Sequence, residues 1–251
     1  MESFAPGALP AGTRFRSASI GGLESSPSNP GGPQAPSGQR PTLGRVIPGM
    51  AVEKGTAMHA STWLDETELA ASILARMATD LSMIVDREFV VDGTHVEWWT
   101  QRPAGSALVH ISFKLGIEVA GERRQGCLLV PLPDAIALAG FMMMLPDEAV
   151  AQERFRTQLD GPFKEALLEV GKFLAGACDA VLRQALPIES ATRSDGCQGV
   201  RADVRPALDY REGDTLVVAR ARARVHSFEP FELILALPST ANLAAAEVLS
   251  G

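Results

Sequence analysis

The sequence predicts an α+β protein made of two copies of a helix–three-strand–helix unit, with a largely antiparallel sheet and packed helices. Three observations predict it. The stretch LLVPLPDAIALA at 128–139 returns as LILALPSTANLA at 233–244, a constant offset of 105 residues with Leu, Leu, Pro, Leu and Ala coinciding without gaps. The order of apolar patterns (a helical run, three strand-like runs, a helical run) occurs twice along the chain. The strand-like runs within each copy are joined by connections too short for helical crossovers, so the strands pair antiparallel.

Residues 1–57 are rich in Pro, Gly and Ser, with runs such as SSPSNPGGPQAPSG and no periodicity. Such a segment buries too little apolar surface to offset its chain entropy and reads as a disordered tail. The folded domain is expected over 58–251, with repeat one at about 61–146 and repeat two at about 160–250. Ser61 or Asp65 can cap a first helix running to about residue 86, with Leu69, Ile73, Leu74, Met77, Leu81, Ile84 and Val85 on its buried face. Residues 89–99 are β-rich and interrupted by Asp92-Gly93, which marks a bulge or a hairpin. Residues 108–118 alternate almost strictly, with Val109, Ile111, Phe113, Leu115 and Ile117 on one face. His110, Ser112, Lys114 and Glu118 fall on the other, the pattern of a half-buried strand. Residues 126–132 form a continuous apolar strand, after which Asp134 is placed to cap a helix through Leu145. In the second copy the strands are expected at 199–208, 215–225 and 231–237, and a last helix from 239 to about 249.

The second copy opens on the longest helical pattern, 160–186. Leu167, Leu168, Phe173, Leu174, Ala177, Val181 and Leu182 recur at threes and fours, which predicts one buried face. Asp160 is the expected N-cap, Pro162 falls in the first turn where its missing N–H does no harm, and Pro187 ends the run. Glu165, Glu169 and Lys172 lie three and four apart, so their charged heads are neighbours on one ridge. Gly171 interrupts an otherwise good helix at a cost of about 1 kcal/mol against Ala, which predicts close approach of another backbone.

Composition bounds the function. The chain has 251 residues, 46% of them apolar and 21% charged, enough to bury a sizeable core. A net charge of −7 argues against nucleic acid or an anionic membrane as partner. The alternating Arg220, Arg222 and Arg224 read as a solvated sheet face paired with acids. Cys127, Cys178 and Cys197 lack metal-ligand spacing and read as buried small hydrophobes in a reducing cytoplasm. No signal-peptide pattern opens the chain, and the most apolar stretch, 127–145, contains two prolines and an acid and is no membrane span.

The segment Glu169-Val170-Gly171-Lys172-Phe173, followed by Leu174-Ala175-Gly176-Ala177, resembles the signature helix of the CheC/CheX/FliY chemotaxis phosphatases. In that helix an acid, two residues (often Ile-Gly), an asparagine and a small-residue-rich stretch follow one another. The acid matches as Glu169 and the glycine as Gly171; the asparagine position holds Lys172. The duplication is a second trait of the same group and of the related FliM middle domain, whose halves are related by a pseudo-twofold. The resemblance implies a CheC-like fold and a cytoplasmic partner of the CheY-like response-regulator type. It also implies a site at Glu169 and Lys172 flanked by Glu165, with no cofactor of its own, since any Mg ion belongs to the receiver domain. In the family the asparagine orients the water that attacks a phosphoaspartate, and the acid pairs with the receiver's lysine. Lysine has three donors and no acceptor, so it cannot align a water as an amide oxygen does. In the first copy Leu69 and Ser72 stand at the acid and asparagine positions. Three readings stay open: a receiver-binding module with catalysis lost or weakened, an active phosphoaspartate phosphatase, and a structural or dimerisation domain.

Overall fold

A computed structural model describes residues 65–240, Glu212 apart. The expected tail over 1–57, and the expected last helix beyond residue 240, lie outside the described residues. Helix α1 (Glu66–Val85) begins where the Asp65 carboxylate accepts a hydrogen bond from the Thr67 amide at 2.9 Å. It ends at Asp86, whose φ of 50° is the left-handed turn that closes helices. Strands β1 (Phe89–Trp99), β2 (Val109–Val119) and β3 (Glu122–Pro131) follow, then helices α2 (Leu132–Met142), α3 (Asp147–Glu153) and α4 (Gly161–Ala185). Strands β4 (Ser190–Arg201), β5 (Leu216–Val225) and β6 (Phe231–Pro238) complete the described chain.

The six strands form one antiparallel sheet in the order β1-β5-β6-β3-β2-β4. Exchanging each strand of the first copy for its counterpart in the second reads this order backwards, which is what a twofold through the sheet requires. The axis can be placed. Leu129 and Ile234 are equivalent under the 105-residue offset, and they face each other where β3 pairs with β6. Internal equivalence in the letters thus became a symmetric contact at the centre of the sheet.

One sheet face carries the helices and the main core. Ile111, Phe113, Leu115 and Ile117 of β2 are each at most 3% exposed and pack with Leu74, Met77, Leu167, Val170 and Leu174. The opposite face was expected to be solvated and is so only in part. The chain after β4 crosses it, burying Leu208 against Cys127, Leu129, Leu216, Val218, Ile234 and Ala236. Arg102 Nη1 donates to the Pro206 carbonyl at 2.8 Å, and the Asp209 amide donates to Gln125 Oε1 at 2.8 Å, so this strap is tied at both ends. His110 and Ser112, expected at the surface, are also buried; the β1–β2 loop lies over His110, whose Nε2 accepts from the Ala107 amide at 3.4 Å. Burial lowers the His110 imidazole pKa, with Glu232 opposing it.

One open alternative is resolved and two further expectations are corrected. β1 is one strand with a register shift between Asp92 and His95, so Asp92-Gly93 makes a bulge and not a hairpin. The fourth strand runs over Ser190–Arg201, not 199–208: β4 is an edge strand with polar residues on both faces, which hides its alternation, and 202–208 belong to the strap. Asp134 does not cap α2. The helix starts at Leu132-Pro133 with proline in its first turn and no side-chain cap, and the short helix α3, unmarked in the sequence, brings Arg154 to Asp134 at 2.6 Å.

Asp134 is only 4% exposed, and burial outweighs the attraction of Arg154, raising its pKa to about 6. A carboxyl harder to ionise in the folded than in the unfolded chain favours folding while it is protonated. Its contribution is full below the unfolded value of 3.8 and declines as pH rises through about 6. Urea unfolding of wild type against Asp134→Asn should show the stability difference shifting against wild type by about 2–3 kcal/mol between the two ends of that window. A difference constant across it would contradict this assignment.

Candidate functional site

Helix α4 is opened by Asp160, whose Oδ1 accepts from the Phe163 amide at 3.2 Å, with Pro162 in the first turn. Its buried stripe is Phe163, Ala166, Leu167, Val170, Gly171, Leu174, Ala175, Ala177, Cys178 and Leu182. Leu168 and Phe173, expected on that face, are 42% and 39% exposed. The small residues explain the rotation: Gly171, Ala175 and Cys178 turn toward the sheet and let the helix lie close, which puts the two larger side chains on the flanks. A Cβ at Gly171 would lie 3.0 Å from Ser194 Oγ and 3.4 Å from Phe113 Cδ1. The predicted close approach is present, although side chains of β4 and β2 make it, and not another backbone.

The opposite face of α4 presents the acidic ridge. Glu165, Glu169 and Lys172 are all exposed. The Lys172 Nζ donates to Glu169 Oε1 at 2.6 Å, with the two side chains 64% and 50% exposed. The pair joins residues one turn apart, and at this exposure it contributes about 0.3–0.5 kcal/mol at most. In the first copy Leu69 is buried, so α1 has no corresponding acid ridge.

Between the ridge and β4 lies a groove of about 540 Å³ lined by Glu165, Leu168, Glu169, Lys172, Arg193, Ser194 and Gly196. The last three were not singled out from the sequence. They sit where β4 bulges: Phe113 pairs with Cys197 but Leu115 with Ser194, so the strand carries an extra residue here. Gly196 takes a φ of +90°, and its amide donates to Ser194 Oγ at 3.3 Å. The available signal was Ser194-Asp195-Gly196, a turn-type triplet inside what proved to be a strand. Arg193 Nη2 bonds Glu118 Oε2 at 3.0 Å, so the groove carries two acids and two bases, each base already holding an acid. Such a surface offers charged hydrogen-bond partners of both signs, and it contains no amide side chain that could align a water.

The basic stripe on β5 behaves as a solvated face: Arg220 pairs with Glu232 at 2.6 Å and lies over Trp99, and Arg224 pairs with Glu88 at 2.9 Å. Among the described residues no helix is long and apolar enough to cross a membrane.

Neither a family model nor a curated protein matches the sequence. Solved structures do match the fold. The crystal structure of Thermotoga maritima FliY is similar at a TM-score of 0.54 and 14% identity, over 77% of this chain and 100% of that one. The FliM middle domain from H. pylori is similar at a TM-score of 0.50 and 8% identity, over 72% of this chain and 95% of that one. The signature helix and the internal repeat pointed to this same group, and the α+β fold they implied is the fold found.

Proposed function

We propose that this chain is a cytoplasmic chemotaxis or two-component signalling module that docks a phosphorylated CheY-like receiver domain on α4, with phosphatase chemistry lost or weakened. The observation that carries the reading is the exposed Glu169–Lys172 pair at the lip of the groove, on a helix whose fold is shared with FliY. A carboxylate and its neighbour three residues on project from one helix surface, so a visiting domain can engage both at once. The ammonium occupies the carboxylate and brings donors only, which favours binding over hydrolysis. Any Mg ion belongs to the receiver, and the site needs no cofactor of its own.

Charge reversal is the direct test. Glu169→Arg should weaken capture of a phosphorylated receiver domain roughly tenfold or more, because it sets a cation against the receiver's lysine. Unchanged capture would favour a structural or dimerisation role for the domain. Substantial phosphate release by wild type, abolished in Glu169→Ala, would instead establish an active phosphatase.

A further inference from the structure

The wall of the groove opposite α4 is a bulge in an edge strand, which is a weak place to hold a surface in register. β4 has β2 on one side, and a bulge that slipped by one residue would turn Ser194 from the helix face to the opposite one, since side chains alternate along a strand. Something has to pin it. The residue inside the bulge, Asp195, points its side chain through to the far face of the sheet. There Oδ1 accepts from Arg123 Nη2 at 2.5 Å and Oδ2 accepts from Gln125 Nε2 at 2.7 Å. Gln125 Oε1 in turn accepts from the amide of Asp209, so the same carboxylate is joined to the strap.

The sheet makes room for this carboxylate. A Cβ at Gly116 of β2 would stand 2.6 and 2.7 Å from the two Asp195 oxygens, so a larger residue there would push the anchor out. The Asp195 side chain is 10% exposed. Burial by itself would raise its pKa, and the hydrogen bonds from Arg123 and Gln125 more than offset this, so it ionises below the ordinary carboxylate range. Arg123 and Gln125 of β3 and Gly116 of β2 thus converge on the Asp195 carboxylate of β4, directly behind the groove.

We propose that Asp195 is a positioning residue for the docking groove: gripped from the far face by Arg123 and Gln125, it fixes the bulge that presents Ser194 and Gly196 to the α4 ridge. This rests on reading the groove as a docking site, and the test separates the two claims. Asp195→Ala removes the anchor, Gly116→Ala displaces it while leaving it in place chemically, and Asp195→Asn keeps an acceptor for Gln125. Amide hydrogen exchange of the free protein reads the bulge without any partner. Affinity for a CheY-type receiver domain activated with beryllofluoride reads the groove.

Asp195→Ala and Gly116→Ala should speed exchange at Gly196 and Cys197 relative to Ile117 and Val200, and both should weaken receiver binding roughly 3- to 30-fold. Asp195→Asn should fall between them and wild type on both readouts. A role in stability alone would change exchange across the whole sheet together and leave affinity at equal folded concentration untouched, and that result overturns the proposal. So does faster exchange at Gly196 with wild-type affinity. If wild type binds no receiver at all, the docking reading fails, and unchanged local exchange at Gly196 in both Ala variants overturns the anchoring as well.

Discussion

Lys172→Asn is expected to raise phosphate release from a phosphorylated receiver domain by on the order of 10²-fold over wild type, the factor a single positioned hydrogen-bonding group contributes at the transition state. Two changes act together. The amide oxygen supplies the acceptor that an ammonium lacks, at a position already exposed on the groove's lip. Removing the ammonium also frees the Glu169 carboxylate from its 2.6 Å ion pair to meet the receiver's lysine. Little else has to be built, because placing a water in line with phosphorus is most of what such catalysis requires of the protein. The scaffold for it is present: Gly171 keeps the helix seated on Ser194 and Phe113, so residue 172 keeps its place whichever side chain it carries. The measurement is phosphate release under single-turnover conditions, with Glu169→Ala in the Lys172→Asn background returning the rate to the wild-type level. A Lys172→Asn variant that binds the receiver and stays at the wild-type rate would show that the lysine is not what limits the chemistry.

Most of the architecture could be read from the letters because its determinants are local and repeated. The alternation from Val109 to Ile117 sets a strand with one deeply buried face, and the 105-residue offset makes Leu129 and Ile234 equivalent, the pair that meets at the twofold where β3 lies beside β6. Most of what the letters hid depends on contacts distant in sequence. His110 and Ser112 read as a wet face because what lies over that face, the β1–β2 loop at His110 and the strap at Leu208, follows no periodic pattern. Asp134 reads as a helix cap because its true partner, Arg154, lies on a short helix with no periodicity to announce it. The ridge of Glu165, Glu169 and Lys172 was visible as spacing on one helix. Arg193, Ser194 and Gly196 were not, because an edge strand with a bulge breaks the alternation that identifies strands. Leu168 and Phe173 share the three-and-four spacing of the apolar residues, whereas the close seating of α4 turns its small residues to the sheet and leaves these two on the flanks.

Phe113→Ala should cost about 3–5 kcal/mol of folding stability, the loss typical of emptying a fully buried aromatic site. Phe113 is 0% exposed, lies on the helix face of β2, and is the neighbour on which Gly171 of α4 rests. The same contact makes a second, signed expectation. In the wild-type background Gly171→Ala brings a methyl to 3.4 Å from the Phe113 ring and 3.0 Å from Ser194 Oγ, so crowding offsets the better helix propensity of alanine. The tighter contact, Ser194 Oγ at 3.0 Å, remains when the ring is removed, but the helix can then settle toward the vacated space and draw the methyl off it. Gly171→Ala should then become less costly than in wild type and at best stabilise by about 1 kcal/mol. A double-mutant cycle by urea unfolding therefore gives a coupling between residues 113 and 171 whose sign is set by packing alone. Additive effects would mean that α4 does not lie on β2 through this pair. A favourable coupling would show that the glycine keeps the helix low on the sheet, and the height of the helix decides how deep the groove beneath Glu169 and Lys172 is.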